Sequence, residues 1–239
     1  RCRTNPDPDL LAVAKRLGDY IIACNPYYCR KENFTQVGGI EASGFTTCYP
    51  SWIDALVALG EVTKDTKYLD EARAIARLSW IDAAFLKHHS HGRLVAFRGM
   101  LDLDRVSGVP EFTDKVREAC AQIAAEYEYP TGGVAEMFGM DYPRDEGCSE
   151  ADWTRVNFLL WQAMNDPKYL DATENVLFNH LYGTQFANGG FGHHTLSPLR
   201  DAKNVFPAAR LERMASDSYW CCSMHGAQVI ADVAHWGVL

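Results

Sequence analysis

Two short stretches of this chain carry residue types that together could hold a metal ion. Glu146-Gly147-Cys148 and Cys221-Cys222 offer one carboxylate and three thiols, a full tetrahedral shell for zinc. Adjacent cysteines strain badly as a mutual disulfide. Cys221-Cys222 precede a run with helical character, Ala227 to Trp236, so their sulfurs are expected where a helix begins, a place that favours thiolate over thiol. Spacing alone does not separate this reading from one of unrelated buried cysteines. A second group surrounds Glu136, which follows Thr131-Gly132-Gly133 and precedes Phe138 in an apolar loop able to raise a carboxyl pKa and suit it to proton transfer. Glu126 and Glu128 are its rivals, expected to be solvated at the end of the preceding helix. His193 and His194 either line a polar mouth or face solvent, and His225, three residues after Cys222, is either a hydrogen-bonding neighbour of the thiols or a helix-surface histidine.

The elements that must position these residues read as helices. Leu10 to Ala23 carries a helical apolar stripe with Asp9 as a plausible cap, followed by an irregular stretch from Asn25 to Tyr49. Three later segments repeat one pattern of apolar helix, polar turn, aromatic, Asp and second helix. Their turns are 65–70, 109–114 and 166–171, and their aromatics, Tyr68, Phe112 and Tyr169, fall 44 and 57 residues apart. Helical hairpins that cannot bury their apolar faces alone must stack or close into a ring, so the fold class expected is all-α. Interruptions at 87–92, 130–148 and 183–219 are expected to cluster at one end. Gly189-Gly190, between Thr184-Gln185-Phe186 and Phe191-Gly192-His193, reads as a small β-hairpin.

Composition narrows the partners. The 239 residues, 47% hydrophobic and 12% aromatic, suffice for one domain spanning 1–239 with a sizeable core. A net charge of −8 leaves no basic face for nucleic acid or an anionic membrane, and a neutral or weakly polar substrate fits better. No apolar run of the given sequence reaches the roughly 18 residues that span a bilayer, and no charged-then-apolar stretch of leader type is read in it. The chain starts at Arg1 without Met and ends just after a helical run, so a fragment truncated at both ends is expected. Eight cysteines are too sparse for a disulfide-stapled scaffold, and reduced thiols are expected.

The order Thr131-Gly132-Gly133, Glu136, Asp141-Tyr142-Pro143, Glu146-Gly147-Cys148 and, 73 residues after Cys148, Cys221-Cys222 resembles glycoside hydrolase family 127, the β-L-arabinofuranosidase family. The resemblance extends over most of the chain, through the repeat turns and His89-Ser90-His91 before a helix. It implies an (α/α)6 toroid of helical hairpins, here incomplete, acting on a carbohydrate. It implies zinc bound by Glu146, Cys148, Cys221 and Cys222, with Cys221 as nucleophile and Glu136 as general acid/base. It also implies sugar binding by His89, with His91 as the alternative, while His193 and His194 could line the same mouth. The activity implied is retaining release of β-L-arabinofuranose or a related sugar from plant-type glycans.

The chain also departs from the family pattern. Cys48-Tyr49-Pro50-Ser51 stands where the pattern has a sugar-contacting histidine in Cys-x-x-His, and the stretch between Gly133 and Glu136 is shorter. Two other readings stay open at this stage: a six-hairpin hydrolase or sugar epimerase that works without Cys221, and a helical-repeat protein whose zinc is purely structural.

Overall fold

The computed structural model describes residues 7–30, 32–33, 48–81, 89–138, 144–193 and 218–236. Eight α-helices lie among them: α1 (Pro8–Tyr28), α2 (Ser51–Thr63), α3 (Thr66–Ile81), α4 (Ser90–Ser107), α5 (Thr113–Tyr127), α6 (Gly147–Met164), α7 (Pro167–Val176) and α8 (Trp220–Trp236). A π-turn, Leu177–Leu181, continues α7 and passes into a 3-10 turn, Tyr182–Thr184. The described residues form no sheet, and an isolated β-bridge joins Glu128 to Val134. The fold class is all-α, as expected. No helix of the described residues is long and apolar enough to cross a membrane. By compactness the chain divides into two units, 1–114 and 115–239.

Three turns share one construction that accounts for the sequence repeat. Helices α2, α4 and α6 each end on a left-handed residue, Lys64 (φ 59°), Gly108 (φ 70°) and Asn165 (φ 53°). Each donates its backbone N–H to the carbonyl four residues back, at 2.9, 2.9 and 2.8 Å, closing the helix and reversing the chain. The aromatic that follows is buried each time: Tyr68, Phe112 and Tyr169. The next helix is then capped by an acid. Asp104 accepts from Phe112 N–H, Thr113 N–H and Thr113 Oγ1, all at 2.8 Å, and Asp166 accepts from Lys168 N–H at 3.1 Å.

In the first unit, α2 packs on α3 and α4, and α1 lies against α2 and α3. Ile53, Leu56, Ile75, Leu94, Phe97 and Met100 fill this core. Helix α1 is capped by Asp7, which accepts from Asp9 N–H and Leu10 N–H at 3.2 and 3.1 Å, so Asp7 takes the place expected for Asp9. Pro8 occupies its first position, and the helix continues through Pro26 to Tyr28, past the expected break at Asn25. Leu10, Val13, Leu17, Tyr20 and Tyr27 on this helix are exposed.

In the second unit, α6 packs on α7 and α8. Helices α6 and α8 run parallel, because contacts advance along both together. Cys148 meets Cys222, then Arg155 Nε donates to Asp232 Oδ2 at 2.7 Å, then Phe158 stacks on Trp236 with ring centroids 3.7 Å apart. The hairpin expected around Gly189-Gly190 does not form. Phe186 N–H reaches Gly190 O at 2.9 Å in a tight turn, but Phe191 donates to Ser223 Oγ at 3.1 Å and accepts from Tyr219 N–H at 2.7 Å. Its backbone is engaged by the start of α8, so no second strand is available to pair with 184–186.

Candidate active site

Parallel packing brings the N-terminal turns of α6 and α8 to one place, and both cysteine stretches sit there. Glu146 is the N-cap residue of α6 and Cys148 lies in its first turn, while Cys221 and Cys222 occupy the first turn of α8. The Glu146 carboxylate and the three sulfurs all lie within 4.8 Å of one another. Cys148 Sγ is 3.7 Å from Cys222 Sγ, and Cys221 Sγ is 3.9 Å from Cys222 Sγ. A tetrahedral thiolate shell with bonds of about 2.3 Å has edges of about 3.8 Å, whereas a disulfide requires about 2.05 Å. The separations therefore match a shared cation, and the three cysteines are free thiols. Gly147 makes this approach possible: a Cβ there would lie 3.0 Å from the Cβ atoms of both Cys222 and Phe191.

Electrostatics point the same way. The two helix N-termini together present positive potential to the site. Without a cation this does not suffice to ionise the thiols. The hydrogen bonds it shares with Cys221 and donates to Cys222, then burial, push the Cys148 thiol far above the usual range. Cys148 donates to Cys222 and so lowers its pKa, but Cys221 and burial outweigh that and leave it raised as well. Three thiols and a carboxylate crowded into the apolar cluster of Ala151, Leu177, Leu181, Phe191 and Val229 need a positive charge to become ligands together.

Glu136 lies beside this set, 4% exposed, with a carboxylate oxygen within 4.8 Å of one on Glu146. Burial pushes its carboxyl above the ordinary glutamate range. Arg144 pulls the other way, Glu146 adds to the rise, and His193 opposes it. Arg144 Nε and Nη2 each bond one Glu136 oxygen, and Glu136 N–H donates to Arg144 O at 2.8 Å. His193 stands between the two acids, its Nε2 3.9 Å from Glu136 Oε1 and 3.8 Å from Glu146 Oε1. Burial lowers the His193 pKa, but Glu146 and Glu136 outweigh it and raise the net value. Tyr219 meets the ring edge-on, with centroids 5.3 Å apart.

The sequence-derived candidates thus fall into groups. Glu136, Glu146, Cys148, Cys221, Cys222 and His193 share one site in the second unit. His225 has a ring nitrogen within 4.8 Å of Cys148 Sγ. His89 and His91 belong to the first unit, at the start of α4, with ring centroids 6.1 Å apart. His194 lies outside the described residues. Glu128, expected in solvent, is half-buried and bridged to Val134, and burial raises its carboxyl pKa. Ser51, where the family pattern has histidine, donates to Cys48 O at 2.6 Å and opens α2.

Sequence reasoning missed four residues that organise this region: Arg144, Asp145, Glu150 and His180. His180 Nε2 bonds Asp145 Oδ2 at 2.8 Å and lies 3.4 Å from Glu150 Oε1, and its Nδ1 meets Thr131 Oγ1 at 2.7 Å. Glu150 accepts the Val134 N–H at 3.0 Å. The one available signal was Glu150 itself, an acid four residues after Glu146 on the helix of Cys148.

Fold and site together define an all-α hairpin protein with a three-sulfur, one-carboxylate centre at the converging ends of two helices. The sequence model of the β-L-arabinofuranosidase GH127 catalytic domain matches residues 4–235, and the chain belongs to this family. Among solved structures it is similar to a GH127 β-L-arabinofuranosidase from Geobacillus stearothermophilus T6, at 19% identity and TM-score 0.58 over 86% of this chain and 40% of that one. It is also similar to another GH127 β-arabinofuranosidase, at 23% identity and TM-score 0.53 over 73% of this chain and 32% of that one. A D-mannose isomerase shares the fold at 11% identity and TM-score 0.53, over 62% of this chain and 44% of that one. At these identities the likeness is one of fold, and the chain spans less than half the length of each. The curated proteins give no match.

Proposed function

We propose that this chain is the helical catalytic part of a retaining glycoside hydrolase that releases β-L-arabinofuranose or a related sugar from plant-type glycans. Its two units are read as parts of one catalytic domain. The observation that carries the reading is the pair of sulfur separations, 3.7 and 3.9 Å, in a set completed by Glu146 next to a buried second acid, Glu136. Three soft sulfurs and one carboxylate suit zinc among the common divalent ions. Bound zinc would keep the cysteines as thiolates at neutral pH.

The reaction follows from two groups of the chain. The Cys221 thiolate attacks the anomeric carbon, and the glycosidic C–O bond breaks with its electron pair on the leaving oxygen. Glu136 gives that oxygen its proton, so an alcohol departs and a thioglycoside remains on Cys221. Glu136, now a carboxylate, takes a proton from water. The water oxygen attacks the anomeric carbon, and the C–S pair returns to sulfur. Two displacements retain the configuration. Burial of Glu136 favours the protonated form that the first step requires. Arg144 holds its orientation.

Cys221→Ser in the full-length protein should abolish turnover of a β-L-arabinofuranoside and leave metal content measurable. Glu136→Gln should slow alkyl arabinofuranosides by about 100-fold or more while sparing a dinitrophenyl substrate, whose leaving group needs little protonation. Full activity in Cys221→Ser would remove the thiolate mechanism and favour an enzyme of this fold that relies on carboxylates alone.

A further inference from the structure

A single buried histidine joins the segments that carry the two acids. His180 is 2% exposed and belongs to the π-turn Leu177–Leu181, an irregularity that often marks a functional position in a helix. Its two ring nitrogens bond different segments: Nδ1 meets Thr131, at the start of the loop that carries Glu136, and Nε2 meets Asp145, the neighbour of Glu146. Tyr129 stacks on the ring with centroids 6.3 Å apart and planes 9° from parallel. The loop lies so close that a Cβ on Gly133 would fall 2.4 Å from Nδ1. Glu136 with Arg144, the Val134 N–H with Glu150 and the Tyr129 hydroxyl with Arg144 O also tie the loop to the start of α6. His180 differs from these in bonding both segments through one rigid ring.

We propose that His180, presented by the π-turn, is the positioning residue that fixes Glu136 against Glu146 by bonding Thr131 and Asp145 at once. This rests on the glycosidase reading for its catalytic consequence, and on the hydrogen bonds alone for its mechanical one. Two ring nitrogens at fixed angles hold both segments at a set distance, which a flexible side chain would not. A displacement of about 1 Å at a proton donor costs on the order of 100-fold in rate.

The test compares His180→Ala and His180→Gln in the full-length protein, with two readouts. In His180→Ala, amide hydrogen exchange should accelerate at least about 10-fold in residues 131–136 and 145–147, with the rest of α6 and α7 unchanged. His180→Gln, which can still reach Asp145, should restore part of the protection. In kinetics, His180→Ala should lower kcat about 100-fold for methyl β-L-arabinofuranoside and less than about 5-fold for the 2,4-dinitrophenyl arabinofuranoside, with KM little changed. A merely structural role would reduce both substrates equally through loss of folded protein. Unchanged exchange in the two segments, exchange accelerated throughout the unit, or equal losses on both substrates would each overturn the proposal. If the wild-type protein cleaves neither arabinofuranoside, the glycosidase reading fails, and the exchange pattern by itself decides whether His180 clamps the two segments.

Discussion

Helices α4 and α6 are each 18 residues long, and each is closely enclosed in its own unit, yet they bury different chemistry. The interior of α4 is mostly apolar, with Leu94, Val95, Phe97, Met100 and Leu103, and its buried charges serve the frame. Arg98 donates to Asp54 at 2.6 Å, and Asp104 caps the next helix. Helix α6 buries Ser149, Glu150, Asp152, Thr154, Arg155 and Asn157 over its first three turns. Burying charge is costly unless every group is paired, and an apolar core of the same volume would often be as stable. The first unit follows the cheaper course. The second retains ions where the Glu136 loop and the parallel helix α8 must be held, so its polar interior is best explained by arrangement of the site.

The sharpest test sets Glu150→Ala in α6 against Phe97→Ala in α4. Each should lose about 3–5 kcal/mol in chemical denaturation, the first by leaving the Val134 N–H unpaired and His180 with only one of its two acids, the second by opening a cavity. Turnover per folded molecule should collapse only in Glu150→Ala. An equal loss in Phe97→Ala would end the distinction between the two helices.

The next largest effect is a pH dependence of stability. Burial lowers the His180 pKa, but Glu150 and Asp145 outweigh it and push it up to about 9, from an ordinary 6.5. A raised folded pKa means the native state binds more protons than the unfolded state in that window. The stabilisation is therefore complete below pH 6.5 and lost as pH rises through 9, on the order of a few kcal/mol. Burial also raises the Glu150 carboxyl, which contributes with the same sign. Thermal melts from pH 6 to 9.5 should show the decline, and His180→Gln should flatten its upper part. A wild-type melting temperature flat across that range would remove the ionic account of the second unit.

Smaller effects probe the first unit. Asp104→Asn keeps its shape but weakens three capping bonds of α5, and should cost about 1–2 kcal/mol without altering kcat. Lys64→Gly relieves a left-handed residue at the end of α2 and should leave stability equal or improved by about 1 kcal/mol, as read from the denaturation midpoint.

The sequence disclosed what is local or periodic. The hairpins were legible because Tyr68, Phe112 and Tyr169 recur in the same turn context, and the thiol set because its members are neighbours in two short stretches. The left-handed caps were not, since Lys64, Gly108 and Asn165 share a backbone conformation and no side-chain type. Arg144, Glu150 and His180 were missed because their partners are set by tertiary packing: His180 is a lone histidine in a helical run, 35 residues from Asp145. The hairpin expectation failed at Phe191, whose backbone partners, Tyr219 just before α8 and Ser223 on it, are about 30 residues away and carry no local signal.

The π-turn also bears on how such a site can be gained or lost. An α-helix advances about 100° per residue, so one additional residue in a turn rotates everything after it by more than a quarter of a circle without lengthening the loop beyond. Deleting one residue from Leu177–Leu181 upstream of His180 would let the turn relax to an ordinary helix and swing the imidazole off its bearing. A single codon inserted or removed in an otherwise unremarkable helix would thus engage or release the histidine that joins the segments carrying the two acids. Loss of function among relatives of this chain would then appear as a change in length before it appeared as a change in any reacting group.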